Sequence, residues 1–252
     1  MAVQRLQCIL DLVGRTGSVS VEELVERFGV TPQTVRRDLN RLCRQHLLAR
    51  THGGARLASG VRNMSYEARC VLAAEQKAAI GRAAAALIRN DSSVFLGVGT
   101  TTEAVARALA DHERLTVITN NVNIAVLMRP FVRTRVIIAA GTVRPDDGGV
   151  VGETATEFIA HFKLDYAVIG TSAIDADGAL LASDLHDMEV AEAILSGGAH
   201  VVLVADSGKH GRRAPVRAGH ASRIHSFVTD RVPGTAFRRM LEEASVRTIE
   251  TG

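Results

Sequence analysis

Three scarcities bound what this chain can be. Nowhere in its 252 residues does an apolar run approach the roughly eighteen that a membrane-crossing helix needs, so no span is expected. Cysteine is rare: Cys8, Cys43 and Cys70 are odd in number and far apart. That pattern supports neither a disulfide framework nor a paired metal site, and the three read as ordinary buried or half-buried thiols of a reducing compartment. Lysine is nearly as rare, with only Lys77, Lys163 and Lys209. The first residues, MAVQRLQCILDLVGR, hold Asp11 and no small-residue cleavage site, so no secretory signal and a cytoplasmic location are expected.

What the chain does have is a globular composition, 46% hydrophobic and 23% charged, with length enough for one large domain or two ordinary ones. Its net charge of +3 is unevenly spread. Residues 1–60 carry nine arginines, no lysine and five acids, a net of +4, which leaves −1 on residues 61–252. A small basic head suits a polyanion, and a neutral body suits another partner.

The head reads as three helices and a hairpin. Val3, Leu6, Ile9, Leu10 and Val13 recur at helical spacing, with Gly14 and Gly17 ending the run. Ser20 and Glu23 form a capping-box pattern before a short helix that buries Leu24, Val25 and Phe28 and closes at Gly29. Thr31-Pro32 opens a third helix to about His46, with Val35, Leu39 and Leu42 inward. Two helices joined by a tight glycine-containing turn make a helix-turn-helix. The third helix offers Gln33, Thr34, Arg36, Arg37, Asn40, Arg41 and Arg44 outward with one acid, Asp38. Gln33 and Thr34 suit base edges, and Arg36 or Arg37 suits guanine or phosphate; the plainer alternative is a solvated basic face. Two short strands then flank Gly53-Gly54, a hairpin signature. Directly after a recognition helix it reads as a wing placing His52 or Arg56 on DNA, or else as a packing hairpin. Residues 58–64 read as polar linker, and Glu67–Ile88 as one helix leading into the body.

Beyond it, apolar runs at Val94–Val98, Leu115–Thr119, Arg135–Ala140, Asp165–Gly170, Val201–Ala205 and Phe227–Thr229 alternate with helical patterns at Thr102–Ala110, Ile124–Met128, Thr154–Phe162 and Met188–Leu195. This is a largely parallel, doubly wound α/β pattern, whose ligands bind beyond the carboxyl ends of the strands. The first strand ends in Gly97-Val98-Gly99-Thr100-Thr101-Thr102 and opens a helix. Backbone N–H groups, three hydroxyls and a helix N-terminus suit a phosphate, although a simple capped turn would look the same. The P-loop lysine and the full G-x-G-x-x-G pattern are absent, which argues against a nucleotide, and no cofactor is expected. Polar strand ends recur at Thr119-Asn120-Asn121, Gly141–Arg144, Gly170-Thr171-Ser172 and Asp206-Ser207-Gly208-Lys209, where Lys209 suits phosphate or Asp206. Asp184, His186 and Asp187 lack convincing metal spacing, so no metal is expected.

Thr31–Leu39 (TPQTVRRDL) followed by His52-Gly53-Gly54-Ala55 resembles the DeoR family of bacterial transcriptional regulators. GTTTEAVA (Gly99–Ala106), TNNVNIA (Thr119–Ala125), Gly141–Glu153, Leu164–Leu181 and ADSGKHGR (Ala205–Arg212) continue the similarity in order. Within the family, the segments Glu22–Arg37, Arg144–Phe162 and Asp184–Glu189 most resemble its glycerol 3-phosphate branch. The resemblance implies a winged helix-turn-helix (1–58), a linker (59–74) and a sensor with a sugar-phosphate-isomerase-like α/β fold (75–252). It implies a homo-oligomeric repressor, dimer or tetramer, that leaves operator DNA when a phosphorylated sugar or polyol binds. Gln33, Thr34, Arg36, Arg37, Asn40, His52 and Arg56 would then meet DNA. Gly99, Thr100 and Thr101 would hold phosphate, with Asn120, Arg144, Gly170, Asp184 and Lys209 lining the rest. Two positions depart from the family pattern: Gly97, where many members have an acid, and His210, where many have an aromatic. The competing reading is a sugar-phosphate isomerase with a DNA-binding head, but no positioned acid–base pair is identifiable.

Overall fold

The computed structural model describes residues 2–44, 47–57 and 65–252, and the chain divides into two compact units, Met1–Ala74 and Glu75–Gly252. The first unit runs α1 (Ala2–Thr16), β1 (Ser18–Ser20), α2 (Val21–Phe28), α3 (Pro32–Arg44), β2 (Leu48–Thr51), β3 (Gly54–Leu57) and α4 (Tyr66–Val71). Gly14 lies inside α1, and the left-handed Gly17 (φ 80°) ends it alone. Ser20 accepts from the Glu23 N–H while the Glu23 carboxylate accepts from the Ser20 N–H, so both arms of the capping box form. Gly29, at φ 60°, closes α2 with its N–H on the Val25 carbonyl. The Thr31 hydroxyl accepts from the Thr34 N–H at 3.3 Å and starts α3.

These local signals converge on one core, in which Ile9, Val13, Leu24, Val35 and Leu39 are fully enclosed; Val25 and Phe28 are only partly buried against it. The hairpin turns one residue earlier than its sequence suggests, at His52-Gly53, because Gly54 is already paired in β3. A third strand, β1, lies on the other side of β3. A Cβ at Gly54 would fall 2.0 Å from the Val19 carbonyl oxygen, so close backbone approach dictates glycine there.

The single helix expected over 67–88 is two, α4 and α5 (Ala74–Ala85), separated where Ala73 adopts φ 54°. Ala68 and Leu72 join the core of the head. That part of the stretch read as linker is packed, and residues 58–64 lie outside the described residues. So do 45–46, where the third helix was expected to end. Cys43 and Cys70 are half-buried, but Cys8 is exposed rather than covered. No helix among the described residues is long and apolar enough to cross a membrane.

The second unit continues through β4 (Ser93–Leu96), α6 (Thr100–Ala108), β5 (Leu115–Thr119), α7 (Val122–Met128), β6 (Thr134–Ile138), β7 (Thr142–Val143), β8 (Val150–Val151), α8 (Glu153–Ala160) and β9 (Tyr166–Ile169). It ends with β10 (Ala173–Ile174), β11 (Ala179–Ala182), α9 (Leu185–Ser196), β12 (His200–Val204), β13 (Val216–His220), β14 (Ser226–Thr229), α10 (Thr235–Glu243) and β15 (Arg247–Glu250). The six expected strands are all present and pair in parallel, with β15 as an unexpected seventh. Alternate side chains enter two separate cores. Phe95 and Ile118 face one, with α8 and α9; Val94, Leu96 and Val117 face the other, with α5 and α6. A further sheet, β10-β11-β13, arises from the segments after β9 and β12, and the ribbon β7-β8 from the segment after β6.

The sheet order is β15-β14-β12-β9-β4-β5-β6. From β4 the chain winds outward through β5 to β6, then returns to the other side of β4 at β9 and winds away. The order therefore reverses between β4 and β9, and there the loops at the carboxyl ends diverge and leave a crevice.

Candidate functional site

Two surfaces concentrate the chemistry, one in each unit. On the first, α3 buries Val35, Leu39 and Leu42 and turns Gln33, Arg36, Arg37 and Asn40 outward. Thr34 is half-buried, its hydroxyl 3.0 Å from that of Thr31. Asp38 does not share the exposed face. It is buried, and its carboxylate accepts from Arg5 Nε at 2.6 Å. Lying three residues after Val35, it falls on the inner stripe, and a charge there requires a partner; α1 supplies it. The outer face of α3 is thus left with arginines and amides and no acid. His52 at the hairpin tip and Arg56 on β3 are exposed.

On the second surface, the segment after β4 lies at the switch point. Gly97 N–H donates to the Val168 carbonyl at 3.0 Å, tying the loop to the end of β9. Gly99 has φ 143°, a backbone that only glycine holds without strain, and leads into α6 without a side-chain cap. Thr100 and Thr101 open α6 and are buried. The Thr102 hydroxyl lies 2.7 and 2.6 Å from the Gly97 and Gly99 carbonyls, so it fixes the loop's shape instead of adding the third outward donor expected. Gly170 abuts the same loop: a Cβ there would stand 3.6 Å from the Val98 carbonyl oxygen and 3.8 Å from Thr102 Cγ2.

Beside this loop is a polar network that the sequence only partly announced. Glu103, 1% exposed, accepts from Asn121 Nδ2 (3.3 Å) and Asn123 Nδ2 (3.2 Å), and Asn123 also donates to the Asp147 carbonyl at 3.0 Å. Asn120, 3% exposed, is tied twice to Val150: its carbonyl accepts from the Val150 N–H at 2.6 Å and its Nδ2 donates to the Val150 carbonyl at 3.3 Å. Its Oδ1 has no partner among the described residues.

Arg144 grips Asp147 with two nitrogens (2.9 and 3.1 Å) and reaches Asp187 on α9 with Nη2 at 3.0 Å. Burial disfavours its charge, but the two carboxylates outweigh that and hold the guanidinium protonated beyond its ordinary range. Burial also pushes the Asp187 carboxyl up, with Arg144 pulling the other way. A Cβ at Gly149 would lie 3.1 Å from Val98 Cγ2 and 3.2 Å from Arg144 Nη2, which puts this ion cluster next to the glycine loop.

Asp184 caps α9, accepting from the His186 N–H at 2.8 Å, and His186 pairs with Glu189 at 3.2 Å. Asp187 pairs with Arg144, so Asp184, His186 and Asp187 each face a different partner. Lys209 closes a short turn after β12, the strand beyond β9. His210 follows, its ring edge-on to Phe237 at 4.8 Å and Phe227 at 6.4 Å. It occupies an aromatic's place in an aromatic cluster, and burial pushes its imidazole down to about 4. Sequence reasoning marked Asn121 only as part of a polar strand end and missed Glu103, Asn123 and Asp147. Their signal was only polarity beside predicted strand ends, and their mutual pairing depends on loops far apart in sequence.

Comparison with known proteins matches residues 5–61 to the DeoR-like helix-turn-helix domain and residues 72–231 to the DeoR C terminal sensor domain. The chain belongs to the DeoR family. As a DeoR protein it is 42% identical over 97% of both chains to the glycerol-3-phosphate regulon repressor of Escherichia coli (strain K12). It is 44% identical to the protein of that name from Haemophilus influenzae, over 91% of this chain and 89% of the other. It is 36% identical to the HTH-type transcriptional repressor CsqR of Escherichia coli (strain K12), over 96% and 92%. Among solved structures, the ribose 5-phosphate isomerase A of Methanocaldococcus jannaschii aligns at TM-score 0.40 and 15% identity over 55% of each chain, a likeness too loose to bear on chemistry.

Proposed function

We propose that this DeoR protein is a DNA-binding transcriptional repressor of a glycerol or sugar catabolic operon, released from its operator by a small phosphorylated polyol, glycerol 3-phosphate first among candidates. The observation that carries the DNA reading is the acid-free outer face of α3, with Gln33, Arg36, Arg37 and Asn40 exposed and Asp38 folded onto Arg5. Arginine bidentate to guanine and amides on adenine are the contacts by which such a helix reads the major groove. Thr34, His52 and Arg56 complete the set. One such helix covers few base pairs, so a homo-oligomer would present two to half-sites one helical turn apart.

Support for the effector comes from the position of the Gly97–Thr101 loop at the switch point and the identity of the curated relatives. Gly99, Thr100 and Thr101 would hold phosphate on backbone and hydroxyl donors at the N-terminus of α6, with Gly170 closing the loop. Asn120, Arg144, Asp184 and Lys209 would surround the rest of the molecule. Release follows if the effector binds more tightly to the form with low operator affinity. The curated relatives carry repressor names, and no pair of groups in the second unit favours an isomerase.

The test is selection of duplexes from a random-sequence pool with the full chain, followed by titration of the selected duplex with glycerol 3-phosphate. A recurring motif with inverted half-sites, released by the ligand, is the expected result. Enrichment of no motif would refute the DNA reading, and a motif untouched by any polyol phosphate would refute the effector.

A further inference from the structure

We infer that this sensor distinguishes a phosphorylated alcohol from the corresponding ketone, and that Asn120 makes the distinction. The inference rests on the effector reading above and adds the oxidation state of the ligand.

The geometry leaves little freedom at Asn120. Its carbonyl and its Nδ2 both face Val150, which presents an N–H to the first and a carbonyl to the second. A carbonyl demands a donor, so the amide cannot be turned round without setting oxygen against oxygen. Oδ1 is therefore fixed as an acceptor. It is buried, and no described group donates to it. Such an atom is costly to leave bare.

Its neighbours are already engaged. Asn121 and Asn123 donate to Glu103, and Asp147 and Asp187 accept from Arg144. Among the described residues, Asn120 Oδ1 is a buried acceptor of this network with no donor on it, and a ligand's hydrogen would fill it. A ligand alcohol donates, whereas a ketone oxygen only accepts and would oppose Oδ1.

Register says which carbon is read. Leu96 pairs with Thr119, so Asn120 stands level with Gly97 on the adjacent strand. Phe95 and Ile118 point into the core beneath α8 and α9; by alternation Gly97 and Asn120 present the same face, which is also the side of Val150. On that face the Phe95 ring lies against Gly97, its Cε1 3.3 Å from where a Cβ would stand, and Asn120 is one strand away from the loop that ends in Gly99–Thr101. Adjacent strands lie about 4.8 Å apart, the reach of the first two carbons of a phosphate ester. That spacing suits a hydroxyl on the carbon next to the phosphorylated carbon, and that is the group assigned to Oδ1. A regulator so built answers to the reduced compound and falls silent as that alcohol is oxidised.

The test is calorimetric titration of the full chain with sn-glycerol 3-phosphate, dihydroxyacetone phosphate and inorganic phosphate. The two esters differ only at that carbon. The alcohol is expected to bind at least roughly tenfold more tightly than the ketone, since the ketone leaves a buried acceptor opposed. In Asn120→Leu the ratio is expected to fall towards one. Equal binding of both esters to the natural chain would overturn the inference and leave the phosphate site standing. Failure of all three ligands to bind a folded, DNA-competent chain would remove the phosphate site and the inference together. Because the natural chain alone carries the main comparison, the result does not depend on the variant folding.

Discussion

The two units handle polar side chains in opposite ways. In the first, Gln33, Arg36, Arg37 and Asn40 on α3 are exposed while the one acid on that helix is folded inward. In the second, Thr100, Thr101, Glu103, Asn120 and Asp147 are all buried at strand ends. The difference follows the size of the partner. A duplex is large, stiff and charged, and a convex helix meets it with side chains that keep their water until contact. A small ester gains little from a flat surface and must be enclosed, so its donors and acceptors are preset and dry. The head can lose one surface contact and keep its shape; the body's polar residues hold loops together as well as facing a ligand.

That contrast can be broken in several places. The largest effect is expected inside the head. Leu39→Ala removes a fully enclosed side chain of α3 and should cost about 2–5 kcal/mol. Two-domain melting should show the first transition lowered and the second unmoved; a shift of both would mean that the units do not melt separately. Next comes the double change Thr100→Val and Thr101→Val. A hydrogen bond to a charged group contributes about 1.5–3 kcal/mol; with the backbone N–H groups still in place, effector affinity should fall by on the order of ten- to a hundredfold while operator binding persists. A normal effector response would move the phosphate elsewhere. Arg37→Ala, on the exposed face, should weaken operator binding by roughly 1–3 kcal/mol if it pairs with guanine, without altering the melting profile. A gel shift against matched and scrambled duplexes separates a base contact, which lowers only the matched complex, from a phosphate contact, which lowers both.

The smallest expected effect is on acid stability. His210 is neutral in the folded body, with its pKa pushed down to about 4 by burial from an ordinary 6.5. Unfolding releases it to take up a proton, so its contribution to stability is complete above about pH 6.5 and is lost as the pH falls towards 4. His200 adds to the same trend, its pKa lowered by burial and by the nearby His225 and Arg247. His210→Phe should therefore lessen the fall in melting temperature between about pH 7.5 and pH 5. An unchanged fall would assign the acid sensitivity to other groups.

Most of this architecture was legible because its signals are local. The Ser20 capping box, the Thr31-Pro32 start and the β-branched runs of six strands each specify a backbone within a few residues. What escaped depends on tertiary context. β15 has only Thr248 and Ile249 between charged ends, and it became a strand because β14 offers an open edge. The break at Ala73 has neither glycine nor proline to announce it; burial of Leu72 in the head sets the turn. Asp38 was legible in principle, since helical spacing from Val35 puts it inside, but its partner Arg5 lies 33 residues away. The glycine loop after β4 was visible as a motif. The pairing of Glu103 with Asn121 and Asn123, and of Arg144 with Asp187, could not be read without the sheet order that brings those loops together.

The burial of Asp38 also bears on how this protein should respond to its medium. With that acid folded onto Arg5, no carboxylate on the outer face of α3 competes with DNA for Arg36, Arg37, Arg41 and Arg44. Every phosphate that one of them neutralises expels condensed counterions, and the logarithm of the binding constant then falls against the logarithm of salt concentration by about 0.9 per contact on B-form DNA. A symmetric pair of heads would double the slope. If an effector releases the operator as proposed, occupancy would answer to ionic strength as well as to that effector, and the inward fold of one aspartate keeps the arginines free to make the salt-sensitive contacts.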